Sequence, residues 1–172
     1  IEAREFFGVA PGQVEVIIHR ESIIHSMVGF VDGAIMAHLG SPDMRHPIGY
    51  ALNWPMRAPL PVARLDLAKT ARLSFEAPDE GRFPALRLAR EVMATGGLAG
   101  AAFNAAKEIA LDHFIAGRIG FCDMAGMVET VLDRLSGDAG VQAAATLDNV
   151  LAAYHMARAE ADRMLMAGAF PR

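Results

Sequence analysis

The residues best suited to chemistry are concentrated between positions 19 and 45, where three histidines, a serine and a Pro-Asp-Met-Arg corner interrupt an apolar frame. Ser22 lies midway between His19 and His25. A serine beside a histidine can act as the nucleophile and base of a hydrolase. However, the G-x-S-x-G elbow does not surround Ser22, and spacing singles out no third member of a triad. The pattern therefore does not favour a hydrolase.

A metal centre is the second chemistry that histidines could supply. Four histidines fall in or next to this stretch, but without H-x-x-x-H spacing or an accompanying acidic residue. Periodicity makes the first of them a hydrogen-bonded histidine at a strand end rather than a catalyst. The sequence therefore predicts no zinc site from these residues: His19, His25, His38 and His46.

A β-hairpin is the element that must position this chemistry. Asp32-Gly33 is typical of a tight two-residue turn, with Ser26 to Val31 and Ala34 to Leu39 as its antiparallel strands. Both flanks are almost entirely apolar, so we expect one face to lie against helices or another subunit. The hairpin would bring its two ends together, so that the polar residues before the first strand and after the second form the rim of one site.

The remaining pattern predicts an α+β first half and a helical last ninety residues. Proline and glycine positions set most of the expected boundaries. The expected elements are a strand over Val14–His19, a helix from Pro42-Asp43 to Ala51 with Pro47 in its first turn, a loop over 54–79, helices over 84–95, 99–115 and 124–135 with Asp123 as N-cap, a loop over Ser136–Gly140, and a helix over about 143–167.

Composition narrows the class of protein. A net charge of −4 and scattered basic residues argue against nucleic acid as a partner. The uncharged run from Val92 to Ala106 is too short for a membrane span, so we assign the 53% hydrophobic content to interfaces. The lone Cys122 predicts a small buried residue in a reducing, cytoplasmic setting. Because the chain opens on Ile1 in a helix-like run, we expect it to begin inside a larger protein.

The same stretch also resembles a known family. The run H-R-E-S-I-I-H-S-M-V-G-F-V-D-G, followed by L-G-S-P-D-M-R-H-P-I, is similar to a region of 1-deoxy-D-xylulose 5-phosphate reductoisomerases. The later N-A-A-K-E at 104–108 and F-I-A-G-R-I-G-F at 114–121 extend the resemblance over nearly the whole chain. The fold it implies is α+β: the second half of a catalytic and dimerisation domain, then a C-terminal helical bundle.

The resemblance implies roles for four residues. Ser22 matches a serine that borders the substrate, and His25 a histidine of the active-site wall that we take as substrate-binding and catalytic. Pro42 and Met44 match residues placed against the nicotinamide or the flap that covers the substrate. Spacing alone would make Met44 an ordinary core methionine. Asn104 and Glu108 are expected to form a structural pair on one helix.

Other family features fall before this chain. The family usually has His-Pro-Gln-Ser where residues 19–22 read His-Arg-Glu-Ser, which keeps the serine. The nucleotide-binding segment, the Mg²⁺ or Mn²⁺ ligands and the phosphate-binding residues would all precede Ile1, so Glu2 is not a metal ligand. The NADPH-binding domain is thus expected upstream.

The resemblance thus implies that the chain is part of an NADPH- and metal-dependent oxidoreductase and isomerase of isoprenoid biosynthesis. It would act on a phosphorylated small molecule as a homodimer, and these 172 residues alone would be inactive. The expected domains are the C-terminal half of a catalytic and dimerisation domain over 1–60, a Pro-rich connection over 61–81 and the C-terminal helical domain over 82–172. The alternative is a stand-alone dimerisation module without chemistry.

Overall fold

The structure is a computed structural model that describes residues 1–137 and 142–170. In chain order its elements are α1 (Glu2–Phe7), β1 (Ile24–Gly29), β2 (Ile35–Leu39), α2 (Arg45–Asn53), α3 (Leu67–Thr70), α4 (Pro84–Thr95), α5 (Ala99–Ile115), α6 (Asp123–Leu135) and α7 (Leu147–Met166). The expected α+β class is confirmed. The chain forms two compact units, a helical unit of residues 1–15 with those from 79 onward and a hairpin unit of residues 16–78. The family-based domain boundaries stay a prediction.

The helical unit is packed around α5. Pro84 opens α4 at its first position, where its fixed φ suits a helix, and α4 ends at Gly96 with φ 68°. Alanines at 102, 105 and 106 are fully buried along α5 and let its neighbours approach closely. The boundaries predicted for both helices are confirmed.

Helices α6 and α7 close this core. The predicted apolar face of α6 is confirmed, with Met127 and Val131 fully buried. The predicted N-cap is wrong: Cys122 is the N-cap, and the Asp123 carboxylate instead accepts from the Gly120 amide at 2.8 Å. Helix α7 begins at Leu147 and not at about residue 143 as expected, because Thr146 is its N-cap. The loop expected over Ser136–Gly140 lies partly outside the described residues.

Ion pairs and hydrogen bonds connect the helices. Buried Glu160 on α7 accepts from Arg134 on α6 at 2.6 Å and pairs with Arg163 at 2.5 Å. The expected pair on α5 is confirmed, since the Asn104 amide donates to Glu108 at 2.7 Å. Tyr154 donates to the same carboxylate from α7, which lowers the pKa of Glu108. That pair therefore links α5 to α7.

In the hairpin unit, β1 and β2 pair antiparallel, but the turn differs from the expected one. Phe30 donates its amide to the Ala34 carbonyl at 2.9 Å, and the Gly33 amide donates to the Phe30 carbonyl at 3.0 Å. The loop is therefore Val31-Asp32-Gly33, with Gly33 alone of the three at positive φ, 87°. The prediction of a two-residue turn was wrong, because a type I turn plus a left-handed glycine also fits this pair.

Three further expectations for local structure were wrong. Val14 to His19 is no strand and contributes only an isolated bridge between Ile18 and Glu76. The region expected to be loop contains α3, which Asp66 caps by accepting from the Lys69 amide. Helix α2 begins at Arg45, later than expected, although its Pro47 does lie in the first turn as predicted.

Apolar side chains on both strands of the hairpin are exposed. Met36 on β2 is 67% exposed and Val28 on β1 is 58% exposed. No covering surface accompanies them among the described residues, so the expected partner for this ribbon stays a prediction. Cys122 is exposed, which corrects the expectation of a buried thiol. Within the described residues, no helix is long and apolar enough to cross a membrane.

Candidate functional site

A β-bulge in β1 positions the histidine singled out by the sequence. Ile24 pairs with Leu39, but the next pair is Ser26 with His38, so His25 is the extra residue of β1. A bulge adds a residue without a cross-strand partner and redirects its side chain. Because of the bulge, the His25 ring can reach the segment that follows β2. Its Nε2–H donates to the Gly40 carbonyl at 3.2 Å.

Further hydrogen bonds hold the segment after β2. The Gly40 amide donates to the Ile23 carbonyl at 3.0 Å, which continues the strand pairing. The Ser41 hydroxyl donates to the Ala63 carbonyl at 3.1 Å and lies 3.2 Å from Nε2 of His46. Gly40 itself is buried, and a Cβ there would lie 3.7 Å from the His46 ring. The segment is thus bonded to β1, to the loop after α2 and to the first turn of α2.

Pro42 and Met44 follow directly, and both are exposed, Met44 to 70%. The expectation from spacing that Met44 is a core methionine is wrong. Between them, Asp43 accepts from the Arg45 amide at 2.9 Å and pairs with its guanidinium at 2.6 Å. The Arg45 guanidinium lowers the pKa of Asp43 from 3.8 to about 2. The ion pair fixes the corner and leaves two apolar side chains open to a ligand.

Ser22 sits at a backbone position that is rare for a serine. Its φ is 51°, in the left-handed region, and its amide donates to the His19 carbonyl at 3.2 Å. Neighbouring Glu21 accepts from the hydroxyl of Ser74 at 2.7 Å, and this bond lowers the pKa of Glu21. Such backbone conformations are stabilised only by their surroundings and are frequent at functional sites. The side chain of Ser22 is exposed beside the strand that carries His25.

His19 has a structural environment. Its Nδ1 lies 2.8 Å from the Ser74 carbonyl and 3.0 Å from the Glu21 carboxylate, and its ring stacks on Phe75 at 4.9 Å. The side chain is only 5% exposed, and its Nε2 lacks a partner. The expectation that His19 is a hydrogen-bonded histidine is met at Nδ1, although no regular strand ends there.

The histidines do not combine into a metal centre. Within residues 1–137 and 142–170, no cluster of histidine, cysteine, aspartate or glutamate side chains has the arrangement of a metal site. The rings of His25 and His38 lie 5.7 Å apart between centroids and are tilted by 40°. The observed environment is hydrogen bonding to backbone and hydroxyl groups, not shared coordination.

The structure brings His25 into contact with the segment that carries Pro42, and it adds further residues to the site. His25 is bonded to the residue just before the Ser41-Pro42 corner, so the polar rim gathers the two ends of the hairpin as expected. Sequence reasoning missed Ser41 as a part of this site and considered His46 only as a metal ligand. The available signal was a glycine at a strand end with a serine and a histidine closely following, which is too common to single out.

Comparisons with known proteins agree with this architecture. A family model described as the DXP reductoisomerase C-terminal domain matches residues 39–160. The 1-deoxy-D-xylulose 5-phosphate reductoisomerase of Ruegeria pomeroyi is 66% identical over 163 residues, which is 94% of this chain and 41% of that protein. The corresponding enzyme of Cereibacter sphaeroides (strain ATCC 17025) is 63% identical over 163 residues, with the same coverage.

Solved structures are similar over nearly the whole chain. The reductoisomerase of Zymomonas mobilis in complex with NADPH is 43% identical, with a TM-score of 0.86, over 95% of this chain and 42% of that one. A DOX-P reductoisomerase with NADPH, fosmidomycin and magnesium is 35% identical, with a TM-score of 0.91, over 96% and 42%. The chain spans about 41% of the length of the curated relatives it matches. The resemblance found in the sequence is confirmed, and the chain belongs to the 1-deoxy-D-xylulose 5-phosphate reductoisomerase family, of which it carries the C-terminal domain.

Proposed function

We propose that this chain is the C-terminal part of an NADPH- and divalent-metal-dependent reductoisomerase of non-mevalonate isoprenoid biosynthesis. The enzyme would convert 1-deoxy-D-xylulose 5-phosphate to 2-C-methyl-D-erythritol 4-phosphate. The observation that carries the proposal is 66% identity over 163 residues to a protein named for that activity. The exposed rim formed by the two ends of the hairpin supports it, because it offers polar and apolar groups side by side.

In this proposal Ser22 and His25 contact the phosphorylated substrate, and His25 is also the catalytic residue of the chain. Both are exposed, and His25 has one ring nitrogen left after its bond to the Gly40 carbonyl. Holding a flexible sugar phosphate in one geometry removes much of the entropic barrier to its rearrangement. These residues would contribute by orienting the hydroxyl groups of the substrate.

Pro42 and Met44 would form the apolar surface for the nicotinamide ring of NADPH. Their exposure fits a flat, weakly polar ring, and the Asp43–Arg45 ion pair keeps the corner in one conformation. NADPH supplies the hydride when it is bound. Packing of the two side chains over the ring would exclude water from the transfer. The phosphate groups of the cofactor would bind upstream of this chain, since Gly96-Gly97 follows a helix and not a strand.

The residues that the structure describes do not fit the metal. Among the described residues no side-chain cluster has metal-site geometry, and His25 and His46 each use one ring nitrogen for a hydrogen bond within the hairpin unit. We place the ligands of Mg²⁺ or Mn²⁺ outside this chain, as the family resemblance implies. The 172 residues alone would therefore not turn over substrate.

The protein would act as a cytoplasmic homodimer in which the hairpin packs on a second copy. Its exposed apolar strands support an interface, because a water-facing valine on β1 and a water-facing methionine on β2 are unfavourable in a monomer. The same exposure fits the alternative function equally well, which is a dimerisation module without chemistry. An exposed thiol at Cys122 is compatible with a reducing compartment. Activity, and not oligomeric state, separates the two functions.

The test is turnover by the full-length protein that carries this chain. NADPH consumption would be followed with 1-deoxy-D-xylulose 5-phosphate and Mg²⁺, for the wild type, His25→Gln and the matched helical-unit control His155→Gln. We expect an active wild type, a loss of about a hundredfold in kcat/KM for His25→Gln and little change for the control. A wild type that dimerises but consumes no NADPH would support the module instead.

A further inference from the structure

The position of the proton on His25 follows from its partner. A backbone carbonyl can only accept, so the hydrogen in the 3.2 Å bond between His25 and Gly40 belongs to Nε2. In a neutral imidazole only one nitrogen carries a hydrogen. Nδ1 of the neutral ring is therefore an acceptor, and it is the nitrogen left over for a ligand.

The carbonyl that selects this tautomer is itself held by a chain of hydrogen bonds. The hydroxyl hydrogen of Ser41 goes to the Ala63 carbonyl at 3.1 Å. Because that hydrogen is used, the 3.2 Å contact between Ser41 and His46 requires Nε2–H of His46 as donor. The Ser41 hydroxyl thus accepts one hydrogen bond and donates one, and these two bonds restrain the residue that follows the Gly40 carbonyl.

We infer that Ser41 and His46 are positioning residues that keep His25 as its Nε2–H tautomer, with Nδ1 presented as a hydrogen-bond acceptor. This inference rests on the proposed function, in which His25 faces the substrate. An acceptor nitrogen pairs with a hydroxyl group and not with a phosphate oxygen, which has no hydrogen to give at neutral pH. While its ring is neutral, His25 therefore recognises a hydroxyl of the substrate and not its phosphate.

The bulge makes this arrangement possible. A regular ladder would pair His25 across the hairpin, whereas the bulge leaves His25 unpaired and directs its ring to the residue beyond the end of β2. The contact does not depend on a ligand, since it is made within the hairpin unit. The tautomer is thus set before substrate arrives, which is the usual form of preorganisation at a catalytic site.

The inference can be tested by nitrogen NMR of the full-length protein with selectively labelled histidine. The His25 signals are those lost in His25→Gln. We expect the Nε2–H form in the wild type at a pH where the ring is neutral. Free histidine already prefers that form, so the informative quantity is the change in Ser41→Ala. The ratio of the two tautomers should fall there, by about tenfold at most, as expected for one net hydrogen bond.

Matched variants separate positioning from general disturbance. Ser41→Thr keeps a hydroxyl and should retain the wild-type ratio, and Ser136→Ala makes the same change at an exposed serine of the helical unit. His46→Phe keeps a ring but removes the donor, and it replaces Ser41→Ala if that variant does not fold. An Nδ1–H tautomer in the wild type, or an unchanged ratio in both Ser41→Ala and His46→Phe, would overturn the inference.

Kinetics distinguish this inference from the proposed function. In an active protein, Ser41→Ala should raise KM for the sugar phosphate severalfold more than KM for NADPH, and Ser41→Thr should restore it. An equal loss for both substrates would count against the role of Ser41. A wild type without turnover would remove the proposed function, while the tautomer ratios would still decide how His25 is positioned.

Discussion

The helical unit buries its apolar side chains, whereas the hairpin unit leaves many of its own exposed. The buried apolar residues of the described chain all lie between Leu88 and Met164, in the helical unit. In the hairpin unit, the strand residues Leu39 and Met36 remain 37% and 67% exposed. Burial of apolar area is the main source of folding free energy, so the two units cannot be stabilised in the same way.

The two units are also held together by different interactions. The helical unit holds itself together with alanine-rich packing and with polar links such as Glu160 to Arg134. The hairpin unit is held by backbone pairing and by bonds such as Ser41 to Ala63, and its apolar groups stay exposed. Exposed apolar strands are what the proposed interface with a second copy requires.

The largest effect should come from the core of the helical unit. Met127→Ala removes a fully buried side chain and should lower the free energy of unfolding by about 2–5 kcal/mol, because it leaves a cavity. Met36→Ala, the same change on β2, should cost less than about 1 kcal/mol in the monomer. Urea denaturation followed by circular dichroism measures both. Equal losses would mean that the contrast between the units is false.

A charge on the hairpin should reveal what the exposed strands are for. Val28→Lys would place an ammonium in the proposed dimer interface and should weaken self-association about tenfold or more, while leaving the melting of a monomer nearly unchanged. Sedimentation of a dilution series measures the dimer constant. The control is Leu151→Lys, at an exposed position on α7. Unchanged association of Val28→Lys would place the dimer interface elsewhere.

The polar link between helices should have a smaller effect. Arg134→Ala removes one of the two cations that neutralise buried Glu160 and should cost about 1.5 kcal/mol, since Arg163 still pairs with the carboxylate. Arg64→Ala, at an exposed position of the hairpin unit, is the control. A loss no greater than in the control would show that Arg163 alone satisfies Glu160.

The smallest effect should be the change in folding stability when acid breaks the ion pair of the Pro42–Arg45 corner. The Arg45 guanidinium lowers the pKa of Asp43 from 3.8 to about 2, so the charged carboxylate stabilises the folded state above 3.8 and this contribution is lost as the pH falls towards 2. Asp43→Asn should therefore melt slightly below the wild type at neutral pH, with a gap that closes over that interval. A gap that stays constant from neutral pH down to pH 2 would contradict the ion pair.

Sequence patterns predicted the helical unit better than the hairpin unit, for a physical reason. Helix periodicity and proline or glycine boundaries are local signals, and they located α4 and α5 correctly. The bulge at His25 and the role of Ser41 depend on contacts with residues distant in the chain, such as Ala63. Asp32-Gly33 was ambiguous because two turn types accept the same residues. The family was recognisable because its motif is long and specific.

The bulge in β1 also keeps the faces of the two strands matched although β1 carries one extra residue. Cross-strand partners point the same way, so Ile24 lies on the side of Leu39, while Ser26 lies on the side of His38. Simple alternation would instead put Ile24 and Ser26 together. Deleting His25 would leave these pairs in a regular ladder with the same two faces, and it would remove the side chain that bonds to the Gly40 carbonyl. The bulge therefore adds a histidine beside the Gly40 carbonyl without exchanging the two faces of the hairpin, and a relative with one residue fewer here should keep the pairing but lose that contact.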